Sequence, residues 1–430
     1  NMDIAIPYNG SSVTVSVDDG RVAGVLRPNS TPVRDEREVL AGVLAGPLGS
    51  EPFQSFLSGR QHPLFIVNDA DRNTPTPKVL DAVRTFIPLD QCRFLVATGS
   101  HPRPTDAELD VLFGGHIGSV RPRLFVHDAR DDARLVSYGT TRRGTEVRLN
   151  RLFSEADCVV TVGSVEPHYF AGWTGGRKFL LPGIAGFRSI EQNHRLALED
   201  GSAVTALQGN PVHEDMDEAL DLAGSKPVFS IQLVLDAEGR ICFAAAGNMR
   251  DAFAAAVEQA KKVYCVPVRE KADKVVAVAA PPLDASLYQA HKAVENVRSI
   301  LKEGGILILV SACPKGIGND SFVRLFQKAG SPKGVFQRLQ DGYVLGYHKA
   351  AKLADLMNRA RIWAVTGLQP DILTSMFIRP FHSVQKALDC AAEEKKDGQV
   401  LFVLSATTVV PTIKSSEFQV RNFESQIRES

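Results

Sequence analysis

Leu64-Phe65-Ile66-Val67-Asn68-Asp69-Ala70-Asp71-Arg72-Asn73-Thr74-Pro75 is the stretch that decides the architecture. Four consecutive apolar residues with no polar alternation read as a strand covered on both faces, as in a parallel sheet. The polar run that follows reads as a loop at the strand's carboxyl end, and the spacing then predicts a helix from Pro77 to Phe86. Outward from this unit the rhythm repeats. Phe94 to Ala97 is a strand, followed by a loop and a helix from Thr105 to Phe113. Leu124 to Val126 and Cys158 to Val162 continue the series, and strands alternating with helices imply a parallel α/β sheet.

A second series starts near Lys274. Val275 to Ala279 and Ile306 to Val310 are strands flanking a helix over Ala285 to Leu301. Ile362 to Val365 and Val400 to Leu404 are further strands, with a helix over Ser383 to Lys396 between them. Between the series, Val228 to Leu235 and Arg240 to Ala246 form a hairpin, and Asp251 to Val263 a helix. The first 30 residues read as a small meander of short strands. The fold expected is α/β, with two α/β domains whose mainly parallel sheets flank an active-site cleft. Residues 1–268 form an N-terminal cofactor-binding and catalytic domain, and residues 269–411 a C-terminal domain contributing substrate-binding residues. Residues 412–430 are expected to pack back on the first domain.

Composition narrows the function classes. The 430 residues carry 49 Lys plus Arg against 49 Asp plus Glu, a net charge of zero. That balance argues against a nucleic-acid or membrane-surface binder, which needs a basic excess. Six cysteines lie far apart with no CxxC pair, which disfavours a disulfide scaffold and a thiolate zinc site. Reduced, buried thiols and a cytoplasmic location are expected. No apolar run reaches the length of a membrane span, and the start Asn1-Met2-Asp3 lacks the regions of a signal peptide.

In open parallel sheets, ligands bind beyond the carboxyl ends of the strands. Four segments there carry the reactive side chains: Asn68 to Pro75, Thr98 to Thr105, Gly163 to Gly186 with Asn193-His194 beyond, and Pro281 to Lys292. Arg72, Lys178 and Lys292 offer cations for a carboxylate or phosphate. Gly172 to Lys178 has the glycine content of a phosphate loop, but Phe179 follows the lysine and the P-loop spacing fails. No GxGxxG follows a strand, so a standard nicotinamide site is disfavoured. His101 and His168 each sit just past a strand, where two imidazoles facing one substrate could exchange acid and base roles. His194 suits a neutral metal ligand, the rest of the sphere coming from elsewhere. Each of these residues also admits a plain structural reading.

Taken together they match a known pattern. Asp69-x-x-Arg72, Gly99-x-His101, His168, Lys178 in Gly-Gly-Arg-Lys, His194, and Gln289-x-x-Lys292 in Tyr-Gln-Ala-His-Lys resemble the nickel-dependent lactate racemase family in order and spacing. The resemblance implies a nickel-pincer nucleotide, a pyridinium-3,5-bisthiocarboxylic acid mononucleotide nickel complex covalently attached at Lys178. It implies His194 as the protein's nickel ligand, and Asp69, Ala70, Asp71 and Arg72 as the cofactor-contacting loop. His101 and His168 become the catalytic pair; Gln289 and Lys292, with Arg72, hold a small-molecule 2-hydroxyacid substrate. The implied activity is racemisation or C2 epimerisation by proton-coupled hydride transfer, in partnership with cofactor-biosynthesis enzymes. The alternatives are a non-catalytic cofactor carrier or sensor, and a 2-hydroxyacid oxidoreductase that releases the keto acid.

Two positions depart from the pattern: Asp71 stands where the family usually has Thr, and Thr174 where it commonly has Ser. Asp71 is therefore expected to alter substrate or cofactor contacts. Tyr169, Phe170, Trp173 and Phe179 either pack the loop or face the C2 substituent. With no second carboxylate clamp near His168, a dicarboxylate substrate is disfavoured. Trp363 and His348 receive no role.

Overall fold

The computed structural model describes residues 1–414. It contains two compact units, one of residues 30–263 and 337–351, the other of residues 1–29 and 264–336 and from Lys352 onward.

The larger unit is built on a six-stranded sheet in the order Ile241–Gly247, Val228–Leu235, Cys158–Ser164, Pro63–Asn68, Arg93–Ala97, Leu124–Val126. All neighbours are parallel except the first two, which form the expected hairpin. The central strands are apolar throughout because both faces are covered. Phe65, Val67, Phe94, Val96, Val160 and Val162 point into one core with Val79, Leu80, Leu109 and Phe113. Leu64, Ile66, Leu95 and Val159 point into the opposite core with Phe153, Ile190, Val212 and Met216. The chain runs from Pro63–Asn68 outward in one direction and from Cys158–Ser164 outward in the other. The gap between these strands is thus the switch point, where ligands bind beyond the carboxyl ends.

The smaller unit holds a second six-stranded sheet, entirely parallel: Arg379–Phe381, Ala360–Val365, Leu301–Val310, Ala272–Val278, Val400–Val403, Val22–Leu26. Its switch point lies between Ala272–Val278 and Val400–Val403, and the chain leaving Val278 leads to the Leu287–Val297 helix.

Three details of the domain division are corrected. The first 29 residues belong to the smaller unit, because Val22–Leu26 pairs with Val400–Val403 and Ile4, Ile6 and Val15 join that sheet's core. They are also no meander: Met2–Tyr8 pairs only with Ser11–Val17. Residues 337–351 belong to the larger unit. Val410–Ile413 pairs with Cys265–Val268 inside the smaller unit, so the chain through Ile413 does not return to the larger one. Residues 415–430 lie outside the described part. No disulfide joins any of the six cysteines. Among the described residues no helix is long and apolar enough to cross a membrane.

Candidate active site

Three loops meet at the larger unit's switch point, and hydrogen bonds tie them together. In the loop after Pro63–Asn68, Asn68 Nδ2 donates to Thr74 Oγ1, which bonds Ser164 Oγ at the end of the neighbouring strand (2.7 and 2.8 Å). In the loop after Arg93–Ala97, the Gly99 N–H donates to the Gly183 carbonyl, and the Gly183 N–H to the Lys178 carbonyl, both at 2.9 Å. The third loop carries His168 and Lys178.

His101 is held at Nδ1. Its Nδ1 lies 2.7 Å from Asp69 Oδ2 and 3.2 Å from Asp71 Oδ2. Ionised carboxylates only accept, so Nδ1 carries the proton and Nε2 the lone pair of the neutral ring. Asp69 is buried, Ala70, Asp71 and Arg72 are half-buried, and the Asp71 N–H closes a turn on Asp69 Oδ1 at 3.2 Å. The departure at position 71 thus has a definite place: its carboxylate is the second anion behind His101. These three side chains are also the grouping with metal-ligand spacing among the described residues. The hydrogen bond to Nδ1 explains their proximity without an ion, and His194 stands outside the grouping.

His168 has the opposite polarity. Its Nδ1 accepts the Ala171 N–H at 3.3 Å, so the proton of the neutral ring sits on Nε2. It pairs across a short hairpin, Pro167–His168 against Gly172–Trp173. Gly172 makes that hairpin possible: at φ +81° a side chain is strained, and a Cβ would stand 2.0 Å from the Ala206 carbonyl oxygen.

Phe170 is the wall common to the remaining groups. Ring centroids of His168, His194 and His348 lie 4.5, 4.8 and 5.0 Å from its centroid, and Lys178 Nζ lies 5.7 Å away. His194 ends the Phe187–Arg195 helix, buried, with Nδ1 3.0 Å from Asn193 Oδ1. Its protonated nitrogen is Nδ1, which leaves the lone pair on Nε2, as a metal requires of a neutral imidazole. A lysine amine and one imidazole lone pair against the same ring would suit a group that brings its own remaining donors. Tyr169, Phe170, Trp173 and Phe179 are all buried within the unit, and Trp173 Nε1 donates to the Thr205 carbonyl at 3.2 Å. They pack the loop.

The glycine-rich stretch is not an anion cradle. Its Arg177 is 2% exposed and turns inward, donating to the carbonyls of Ala171, Trp173 and Gly175 and to His213 Nδ1. Burial pushes this guanidinium down to about 9, still well above neutrality, so it remains a cation. Burial and then the Arg177 charge push His213 down to about 4. The unfolded chain, with histidine near 6.5, binds the proton more readily, so this contribution is complete above pH 6.5 and is lost as pH falls toward 4. We expect the larger unit to lose about 2 kcal/mol over that window. His213→Asn, which can still accept from Arg177, should flatten the slope in urea titrations at pH 4.5 and 7; an unchanged slope would refute it.

Gln289 and Lys292 lie on the Leu287–Val297 helix of the smaller unit, both buried. That helix is anchored by Glu295, whose carboxylate contacts His291 Nε2 at 3.1 Å and Arg298 at 2.9 Å. His348, to which the sequence assigned no role, is buried with Nε2 2.9 Å from Tyr169 Oη and Nδ1 2.7 Å from Tyr343 Oη. It lies in the 337–351 segment, whose membership no local pattern reveals.

Comparison with known proteins finds relatives over most of the chain. Residues 8–206 match the lactate racemase N-terminal domain model, and residues 268–410 the lactate racemase C-terminal domain model. A lactate racemase of Lactiplantibacillus plantarum is 29% identical over 435 residues, covering 95% of this chain and 97% of its own. One from Thermoanaerobacterium thermosaccharolyticum is 28% identical over 403 residues, covering 90% and 94%. The lactate racemase apoprotein structure from the latter organism superposes with a TM-score of 0.85, covering 96% of this chain and 100% of that one. A Thermotoga maritima structure at 16% identity and TM-score 0.71 shares the fold.

Proposed function

The chain belongs to the lactate racemase family and is an isomerase, and on that premise we propose that it inverts C2 of a 2-hydroxy acid, with lactate the first substrate to test. The observation that carries this reading is the Phe170 ring, against which His168, His194 and Lys178 all stand. Lys178 would hold a nickel-pincer nucleotide covalently and His194 would ligate its metal through Nε2. When bound, that group supplies an acceptor that takes hydride from C2 and returns it to either face.

The protein's own part is proton transfer and positioning. His101, its Nδ1–H on Asp69, presents a basic Nε2 to the C2 hydroxyl of one enantiomer. His168 would give the product oxygen its proton from Nε2 as the imidazolium and return to the neutral ring, whose Nδ1 then accepts the Ala171 N–H. The planar keto acid would reorient between them, and the roles reverse for the mirror-image substrate. Lys292, Gln289 and Arg72 would hold the carboxylate and the carbonyl oxygen as charge develops. Asp71 adds a second anion beside His101 and so favours its protonated form once the substrate proton has been taken. The aromatic residues of the His168 loop are packed, which favours a small C2 substituent over a bulky one.

The test is intact mass and nickel content of protein co-expressed with the cofactor-biosynthesis enzymes, followed by chiral assay of lactate. A mass increment absent from Lys178→Ala, one nickel per chain and conversion of either enantiomer to the racemate are expected. Stoichiometric release of pyruvate would point to an oxidoreductase, and loaded protein inert across a 2-hydroxyacid panel to a carrier; either would overturn the proposal.

A further inference from the structure

Behind His194 runs a chain of buried hydrogen bonds whose donor directions are fixed one after another. Thr141 Oγ1 accepts the Thr145 N–H at 3.0 Å and therefore turns its own proton to Asp215 Oδ1. Thr145 Oγ1 donates to Asp215 Oδ2 at 2.7 Å. Asp215 has no exposed surface and lies on the Pro211–Leu222 helix, on the face shared with Val212, Met216 and Ala219. Its Oδ2 also receives Asn193 Nδ2 at 2.9 Å, and the second Asn193 amide proton goes to the Val212 carbonyl at 3.3 Å. Both partners of Nδ2 only accept, so the amide has a single orientation. Asn193 Oδ1 must then face His194 Nδ1, 3.0 Å away.

We propose that Asp215 and Asn193 are positioning residues for His194, locking the buried imidazole in the Nδ1–H tautomer so that the lone pair a metal needs is on Nε2. The proposal rests on His194 being the nickel ligand. Its physical content is that a neutral imidazole has two tautomers, only one of which can bind a metal through Nε2. Asp215 determines which one forms, across one intervening amide. Asp215 touches neither His194 nor the reacting atoms, and no surface ion pair could do the same work: the carboxylate must be buried to have one set of partners.

The tautomer is readable without cofactor. Long-range nitrogen–proton NMR of histidine-labelled apoprotein should show His194 as Nδ1–H, assigned by its loss in His194→Ala. In Asn193→Leu and Asp215→Asn the population should move toward Nε2–H, the form an unconstrained imidazole prefers. In loaded protein both variants should release nickel to a chelator roughly 10- to 100-fold faster than wild type while keeping the mass increment at Lys178. Thr141→Val and Thr145→Val, each removing one donor to the carboxylate and leaving the Asn193 bond, should fall between. His194 found as Nε2–H in the wild-type apoprotein would overturn the proposal even if every variant failed to fold. So would wild-type tautomer and nickel retention in Asn193→Leu and Asp215→Asn while His194→Ala loses the metal. Nickel held normally in His194→Ala would instead remove the ligand assignment on which the proposal stands.

Discussion

His101→Ala and His168→Ala should each lower lactate inversion by about 10²- to 10⁴-fold while leaving the cofactor mass on Lys178. The interconverted species are mirror images with an equilibrium constant of one, so kcat/KM is the same in both directions. Any variant must therefore slow both enantiomers by one factor, however asymmetric its role. Asymmetry is to be sought in the protonation states. The structure gives His101 and His168 opposite neutral tautomers, one with the lone pair on Nε2 and one with the proton there. Asp69→Asn keeps the shape behind His101 but removes the charge that stabilises its cation, and should cost roughly 10²-fold or more even though both histidines remain. Chiral chromatography of lactate over time measures all three. More than a tenth of wild-type activity in either alanine variant would end the two-base scheme, since a lone imidazole cannot serve both faces of a planar intermediate.

Why these two histidines were visible in the sequence, and their supports were not, is a matter of range. His101 and His168 follow apolar runs that can only be strand interiors, and topology places strand ends of one parallel sheet together. Their anchors are a different matter: Asp69 was legible as a neighbour in the same loop system, but its bond to His101 depends on loop conformation. Asp215 sits among Glu214, Asp217, Glu218 and Asp221, an acidic cluster that reads as a solvated helix face. Helical phase distinguishes it, since only Asp215 shares the stripe of Val212, Met216 and Ala219. That signal was present in the sequence and could have been used. The placement of Val22–Leu26 beside Val400–Val403 was not recoverable, because an edge strand's apolar pattern says nothing about a partner several hundred residues away. The same holds for Tyr343 and His348, which join the larger unit from a segment flanked on both sides by the smaller one.

Arg177 was legible in the sequence as a charge but not as a buried one, and it carries the largest stability effect expected in this loop. A guanidinium with no exposed face normally answers a carboxylate; here its hydrogen bonds go to three carbonyls and one imidazole, with its plane 4.6 Å over the Phe253 ring centroid. The planar fork is what fits, because Nη1 serves the Trp173 and Gly175 carbonyls while Nη2 serves that of Ala171. Arg177→Met keeps much of the apolar volume but takes the guanidinium donor from the buried Ala171 and Trp173 carbonyls, each costing about 1–3 kcal/mol, while the Gly175 carbonyl keeps the Lys178 N–H. A net loss of roughly 3–5 kcal/mol follows, or about 6–15 °C in the midpoint of a unit of this size. Arg177→Lys should recover little, since an ammonium is a point charge that cannot reach three divergent acceptors. Two further readings separate a local from a global effect. Amides from Ala171 to Lys178 should exchange faster than those of the Pro63–Asn68 strand. His213, released from the adjacent cation, should titrate upward from about 4 toward its ordinary value. Cofactor attachment should also become incomplete, because the Lys178 N–H is held by the Gly175 carbonyl that Arg177 itself engages. A variant with wild-type midpoint and full attachment would mean that the loop carrying the tether is held by the aromatic packing of Phe170 and Phe179 alone, and that the buried cation contributes nothing to it.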